Sequence, residues 1–226
     1  MDDEGYGLLH QRRRSRDRTT MEAWQMIKVE RASLVDALGE LSDADWDRPS
    51  LCVNWTVREV VGHLVATATM TPPKFFAKLV RSGFNFGNMT RNDIAQVTAG
   101  RTNAELVDLL RSRVDARTAP PGPATSWLGE TIVHGEDIFR AVGGYRHHPV
   151  EHVVAVADFY KNSNLLIGAK NRISGVSLRA TDTDWQHGSG PEASGPLLAL
   201  VLAMTGRKAA LDDLTGEGVA ILRERD

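Results

Sequence analysis

Cysteine is nearly absent: of 226 residues only Cys52 carries a thiol. That excludes an internal disulfide framework and a zinc knuckle built from thiolates, and it suits a reducing cytoplasm. Long apolar runs are also missing, and the most apolar stretch, near "PLLALVLAM", is far too short to span a bilayer. Neither sign of charge dominates. Lys and Arg number 27 against 29 Asp and Glu, a net charge of −2, so nothing points to a nucleic-acid partner or an anionic surface. No recognition helix adds to that case. What is present, 42% hydrophobic and 25% charged residues, is enough for one large or two small globular domains.

Residues 1–20 stand apart. "HQRRRSRDRTT" is rich in arginine and poor in apolar residues. The following "MEAWQMIKVERASL" is amphipathic, unlike the apolar segment of a signal peptide or twin-arginine leader. We expect a disordered basic tail or a mis-assigned start, with Met21 as the true beginning. Asp2, Asp3, Glu4 and Asp17 offset most of its charge, which argues against a nucleic-acid arm.

From residue 21 to 145 the pattern is helical. Trp24, Ile27, Leu34, Leu38 and Leu41 recur at helical spacing until "SDADWDRPS" breaks it. Thr56 and Glu59 form a capping box that opens a helix with the stripe Val57, Val60, Val61, Leu64, Val65. Pro72 and Pro73 mark a boundary before a helix over about 74–82, and another helix carries Ile94 and Val97. Thr102 and Glu105 repeat the capping box, "RTAPPGPATS" reads as a linker, and a last helix runs from Ser126 to about Val142, stopped by Gly143-Gly144. This predicts an antiparallel four-helix bundle. Residues 146–226 change character: helix over about 153–170, an alternating strand or hairpin with Val176, Leu178 and Ala180, then two helical stretches, "PLLALVLAMTGR" and "LDDLTGEGVAILRE". That is a small α/β C-terminal domain.

Three residues could hold one metal ion. Glu130 and His134 in "GETIVHGEDIF" are four apart, so they share a helix face. His63 lies on a separate helix. Two imidazoles and one carboxylate with an open fourth position make a catalytic rather than a structural zinc site. Glu59 stands four residues before His63 as well, but it is taken up by its capping box. A lone Glu-x3-His spacing is weak, and an inward histidine is more often a satisfied polar residue. The remaining candidates have plain readings. Cys52 reads as a small packing residue and "GSGPEASGP" as a turn before a helix, while Arg58 and Arg140 read equally well as solvated helix faces or as substrate-binding cations. His147, His148, His152 and His187 read as surface residues, and the five tryptophans as core or domain contacts.

The wording around these residues narrows the reading. "LSDADWDRPSLCVNWTVREVVGHLVA", followed about 65 residues later by "ETIVHGEDIFRAVG", resembles the mycothiol-dependent maleylpyruvate isomerase family, the actinobacterial branch of the DinB-like metal-binding bundles. The resemblance covers roughly Met21 to the end. It implies a mainly α fold, a DinB-like four-helix bundle followed by a small α/β C-terminal domain. It also implies a divalent metal, most often zinc, on His63, Glu130 and His134, with Asp137 placed to orient His134. The implied function is that of a cytoplasmic metal-dependent enzyme, transferase- or isomerase-like. It would activate a low-molecular-weight thiol, mycothiol, as a zinc-bound thiolate for attack on a small electrophile. Such a protein is a monomer or homodimer with neither nucleic acid nor membrane as partner. Arg207 matches an arginine that the family places over the site as a catalytic residue binding a substrate anion; a helix C-terminal cation is the other reading, and both stay open. Asn54 stands where family members often carry glycine, which bears on the turn and not on the site. The alternative is a non-catalytic protein that uses the same bundle to bind metal or a small ligand.

Overall fold

The computed structural model describes the backbone of residues 3–165 and 167–225, with side chains from residue 18 onward. Helix α1 runs Asp3–Leu38 and is followed by the single turn α2, Asp43–Trp46. The arginine-rich start therefore continues the first helix in the backbone, while its side chains up to residue 17 lie outside the described residues. Helix α3, Val57–Ala68, opens with the expected capping box, Thr56 with Glu59. Then come α4 (Pro72–Arg81), α5 (Phe86–Thr98) and α6 (Asn103–Arg111), the last capped by Thr102 and Glu105. Helix α7, Ala124–Phe139, passes into a short 3-10 turn at Arg140–Val142 and stops where Gly143 turns left-handed at φ 77°.

Helices α1, α3, α6 and α7 make the bundle, with α5 laid against α3. One core lies between them: Leu34, Leu38, Val60, Val61, Leu64, Leu106, Leu110 and Ile138. The "RTAPPGPATS" stretch is pinned rather than loose. Thr118 donates to the Ala68 carbonyl at 2.6 Å, and Arg31 on α1 donates to the Arg113 and Ala116 carbonyls.

The C-terminal part adds α8 (Val150–Tyr160), α9 (Ala169–Arg172), a three-stranded sheet, α10 (Leu197–Met204) and α11 (Gly218–Arg223). Strand β1, Ser177–Ala180, pairs antiparallel with β2, Gln186–His187, as the alternation predicts, with Val176, Leu178 and Ala180 buried. The third strand, β3 (Glu192–Gly195), pairs parallel to β1 and comes from the "GSGPEASGP" stretch that reads as a turn. The chain doubles back so tightly before it that a Cβ at Gly188 would lie 2.2 Å from the Val176 carbonyl oxygen. Its glycines serve that close approach, and glycine content hides the strand. The expected final helix is split into a 3-10 stretch, Lys208–Asp213, and α11, because Thr215 leaves the helix to pair with Ser194. A second core joins the two parts: Ile27, Leu128 and Ile132 from the bundle pack with Val156, Leu178, Leu200 and Leu202.

Two histidines expected at the surface are buried. Glu30 on α1 accepts from His148 Nδ1 and His152 Nδ1, both at 2.8 Å, and from Arg146. His148 Nε2 faces Glu136 at 3.2 Å. Glu136 also takes Arg140, which reaches on to Asp213 at 2.6 Å. Arg140 is thus a tie between α7 and the C-terminal part, not a solvated flank. Arg58 likewise spans from α3 to Asn103 and the Thr98 carbonyl. Apart from Glu136 and Arg140, four residues apart on one helix, these partners lie 12 to 122 residues apart, which sequence spacing conceals.

Burial alone would lower the His148 pKa, but its hydrogen bonds to Glu136 and Glu30 outweigh it and raise the value above 6.5. Burial alone would raise Glu30, but His148, His152 and Arg146 pull it below 4.5. The His148 contribution is therefore whole below about pH 6.5 and lost as pH rises through its folded value; that of Glu30 is present above about pH 4.5 and lost as pH falls. Thermal unfolding followed by circular dichroism should show a stability plateau between these limits. His148→Gln should remove the decline on its alkaline side and cost about 3 kcal/mol at pH 6, since it breaks a buried pair.

Candidate metal and thiol site

Two helices and one loop converge at the upper end of the bundle. Helix α3 carries His63, and α7 carries Glu130 and His134 one turn apart. His63 Nε2 lies 3.8 Å from Glu130 Oε1. The rings of His63 and His134 meet edge to face with centroids 5.0 Å apart. The loop between α2 and α3 brings Trp55 over both, 5.0 Å from His63 and 6.1 Å from His134. That loop is closed on itself by the Pro49–Thr56 bridge, with Asn54 left-handed at φ 67°, a conformation asparagine tolerates better than most residues. This is the turn where glycine would serve equally.

The electrostatics are unbalanced in one place. His63 is pushed down to about 3, by burial first and by the charge of His134 second, so it is a neutral imidazole at physiological pH. Burial raises the Glu130 carboxyl, against weaker help from His134, Thr67 and Arg31. Glu130 thus has no cation in direct contact among the described residues, while its nearest histidine, His63, is held neutral. A neutral imidazole and a carboxylate short of positive charge suit a divalent cation.

Asp137, one turn after His134, is fully buried. Its Oδ2 meets His134 Nδ1 at 2.9 Å, the contact that fixes a ligating histidine and leaves Nε2 as the free nitrogen. Arg207, from the segment after α10, donates through Nε to Oδ1 at 3.0 Å and through Nη2 to Oδ2 at 2.7 Å, and through Nη1 to the Thr205 carbonyl. Burial alone would raise Asp137, but the hydrogen bonds of His134 and Arg207 hold it below the usual carboxylate range. Arg207 sits at a helix end yet spends two donors across the domain boundary, so the dipole reading does not describe it.

The donor atoms of His63, Glu130 and His134 do not all lie within 4.8 Å of one another; among the described residues a different trio does. Cys52, His134 and Asp137 each place a ligand atom within 4.8 Å of the others. Both Asp137 oxygens are already engaged, and burial followed by the Asp137 charge pushes the Cys52 thiol up to about 11. With both oxygens engaged, Asp137 has little left to offer that set as a ligand. In the sequence Cys52 reads as packing, with no histidine near it in the chain; the fold carries it to His134. Trp55 and Arg31 escape sequence reasoning as well. The tryptophan carries no spacing signal toward His134, and Arg31 looks like any cation of an amphipathic helix although it is buried and acts on Glu130.

The sequence model of the mycothiol maleylpyruvate isomerase N-terminal domain matches residues 27–139, half of the chain. Two solved structures are similar over 88% of this chain and 92% of theirs. One is a mycothiol-dependent maleylpyruvate isomerase, 16% identical with a TM-score of 0.60. The other is a histidine-to-alanine variant described by the same words, 15% identical with a TM-score of 0.59. At that identity the likeness speaks for the fold, mainly helical with a small sheet. No curated protein matches by sequence.

The two donor sets separate by substitution. His63→Ala or His134→Ala should abolish binding of one divalent ion per chain, measured by elemental analysis after purification without added metal. Cys52→Ser should leave the metal content unchanged, and Asp137→Asn should weaken affinity by roughly 10–100-fold. Metal retained by His63→Ala and lost by Cys52→Ser would assign the ion to the Cys52 set instead.

Proposed function

We propose, on the premise that the chain belongs to the family of the mycothiol maleylpyruvate isomerase N-terminal domain, that it is a metal-dependent enzyme using a low-molecular-weight thiol, mycothiol, on a small electrophile. The observation that carries this reading is the meeting of His63 from α3 with Glu130 and His134 from α7, with Nε2 of His63 3.8 Å from Glu130 Oε1 and the two imidazole rings 5.0 Å apart. His63, Glu130 and His134 would hold the ion, most simply zinc. When bound, it supplies a Lewis-acid position at which a thiol loses its proton at neutral pH.

The chain's own residues do the rest. Asp137 holds His134 by Nδ1 and so fixes its tautomer and ring plane. Trp55 packs against both imidazoles. Burial and the Asp137 charge raise the Cys52 thiol, which suits a reactive sulfur supplied by the cosubstrate. Arg207 spends three of its five N–H groups on Asp137 and Thr205, which leaves one on each terminal nitrogen for an anionic group of the electrophile. The bundle over 21–145 and the C-terminal unit over 146–226 then play different parts, since the first holds the metal and the second supplies Arg207. No helix among the described residues is long and apolar enough to cross a membrane, and a cytoplasmic setting is where a reduced small thiol is abundant. The reaction is addition, transfer or isomerisation through a transient thiol adduct.

Metal-loaded protein should convert a member of an electrophile panel only when mycothiol is present, whether the thiol ends in the product or is released again, with bacillithiol and glutathione run beside it as poorer thiols. Chelation should abolish turnover. Arg207→Lys keeps the charge and loses the paired geometry, so kcat/KM should fall roughly 10–100-fold. Metal binding without turnover by any thiol would favour the non-catalytic alternative.

A further inference from the structure

The C-terminal unit brings to the site a hydroxyl that the fold itself does not use. Tyr160 ends α8 and is 5% exposed. Its ring packs against Phe159, but among the described residues its hydroxyl has no hydrogen-bond partner. Its oxygen is not among the fully enclosed unpaired atoms of the described residues, so it keeps an opening through which a ligand can reach it. The hydroxyl is aimed at α7 next to Glu130: a Cβ at Gly129 would lie 2.3 Å from the Tyr160 oxygen. Any larger residue there would push the phenol away. The charges that act on it are those of Arg207 and Glu130, and Arg207 in turn feels Asp137, Cys52 and Tyr160. Tyr160 thus stands in the same cluster as the metal-site candidates and as an arginine with two N–H groups unspent.

We propose that Tyr160 is a substrate-positioning residue whose O–H donates to an anionic oxygen, of the carboxylate class, on the electrophile, beside the two remaining N–H groups of Arg207. This rests on the thiol-using reading above. One neutral hydroxyl and a planar cation that keeps two donors match a carboxylate, which accepts on both oxygens. Gly129 is the clearance that lets the hydroxyl reach the site. Burial holds the phenol protonated at neutral pH, so it acts as a donor and not as a base.

The test uses the full chain, loaded with metal, and maleate as the probe in isothermal titration calorimetry. Tyr160→Phe keeps the ring and removes only the hydroxyl. The Kd for maleate should rise about tenfold or more, the loss of one hydrogen bond to a charged group. Melting temperature, metal content and mycothiol affinity should not change. The proposal is overturned if wild-type protein does not bind maleate, if Tyr160→Phe binds it equally well, or if the variant loses thermal stability, which would give the hydroxyl a structural partner. Tyr160-dependent maleate binding in a protein that turns over no thiol would keep the subsite and remove the thiol chemistry.

Discussion

Asp137 is the residue on which the site hangs. Its side chain, fully buried, orients His134 and is gripped on both oxygens by Arg207. Its backbone carbonyl accepts from the Leu51 amide at 3.0 Å, which anchors the loop that carries Cys52 and Trp55. One residue therefore ties the last bundle helix, the loop before α3 and the C-terminal unit to the same point. A buried carboxylate is tolerable only when its charge is met, and here a cation from 70 residues away meets it. Losing that contact would unlock the histidine, the arginine and the boundary between the two parts together.

The same helix divides its faces by charge. Toward α3 it presents Glu130 and His134, where the carboxyl of Glu130 lacks a close cation. Away from the site, Glu136 is locked with His148 and Arg140, and Gly135 lets the Arg146 side chain approach, since a Cβ there would lie 2.3 Å from Nη1. Most buried charges of the molecule are paired, and Glu130 stands out as the one held up by desolvation. Among the described carboxylates Glu130 is the one that burial holds up, and such a carboxyl is a candidate for a place where a ligand completes the charge.

Much of the local order could be read from residue patterns. The boxes Thr56–Glu59 and Thr102–Glu105 start their helices as expected, and Gly143 ends α7 with its 3-10 turn. Capping depends on atoms three residues apart, so it is written in the sequence. Strand β3 was hidden because its flanking glycines exist for a close backbone approach that has no local signature. His148 and His152 read as surface residues because their partner, Glu30, lies 118 and 122 residues away.

The candidate site divides along the same line. Residue order alone determined that Glu130, His134 and Asp137 share one helix face, since the period of an α-helix dictates it. It also determined that a capped helix carries His63 and that Glu59 is occupied at its start. That His63 comes within 3.8 Å of Glu130, that Cys52 and Trp55 fold over His134, that Arg207 crosses to Asp137, and that Tyr160 aims an unused hydroxyl past Gly129 were decided by the tertiary structure. The physical reason is range. Helical periodicity and capping act over one or two turns, whereas desolvation and ion pairing join whatever the packed core brings together, and no spacing rule records those meetings.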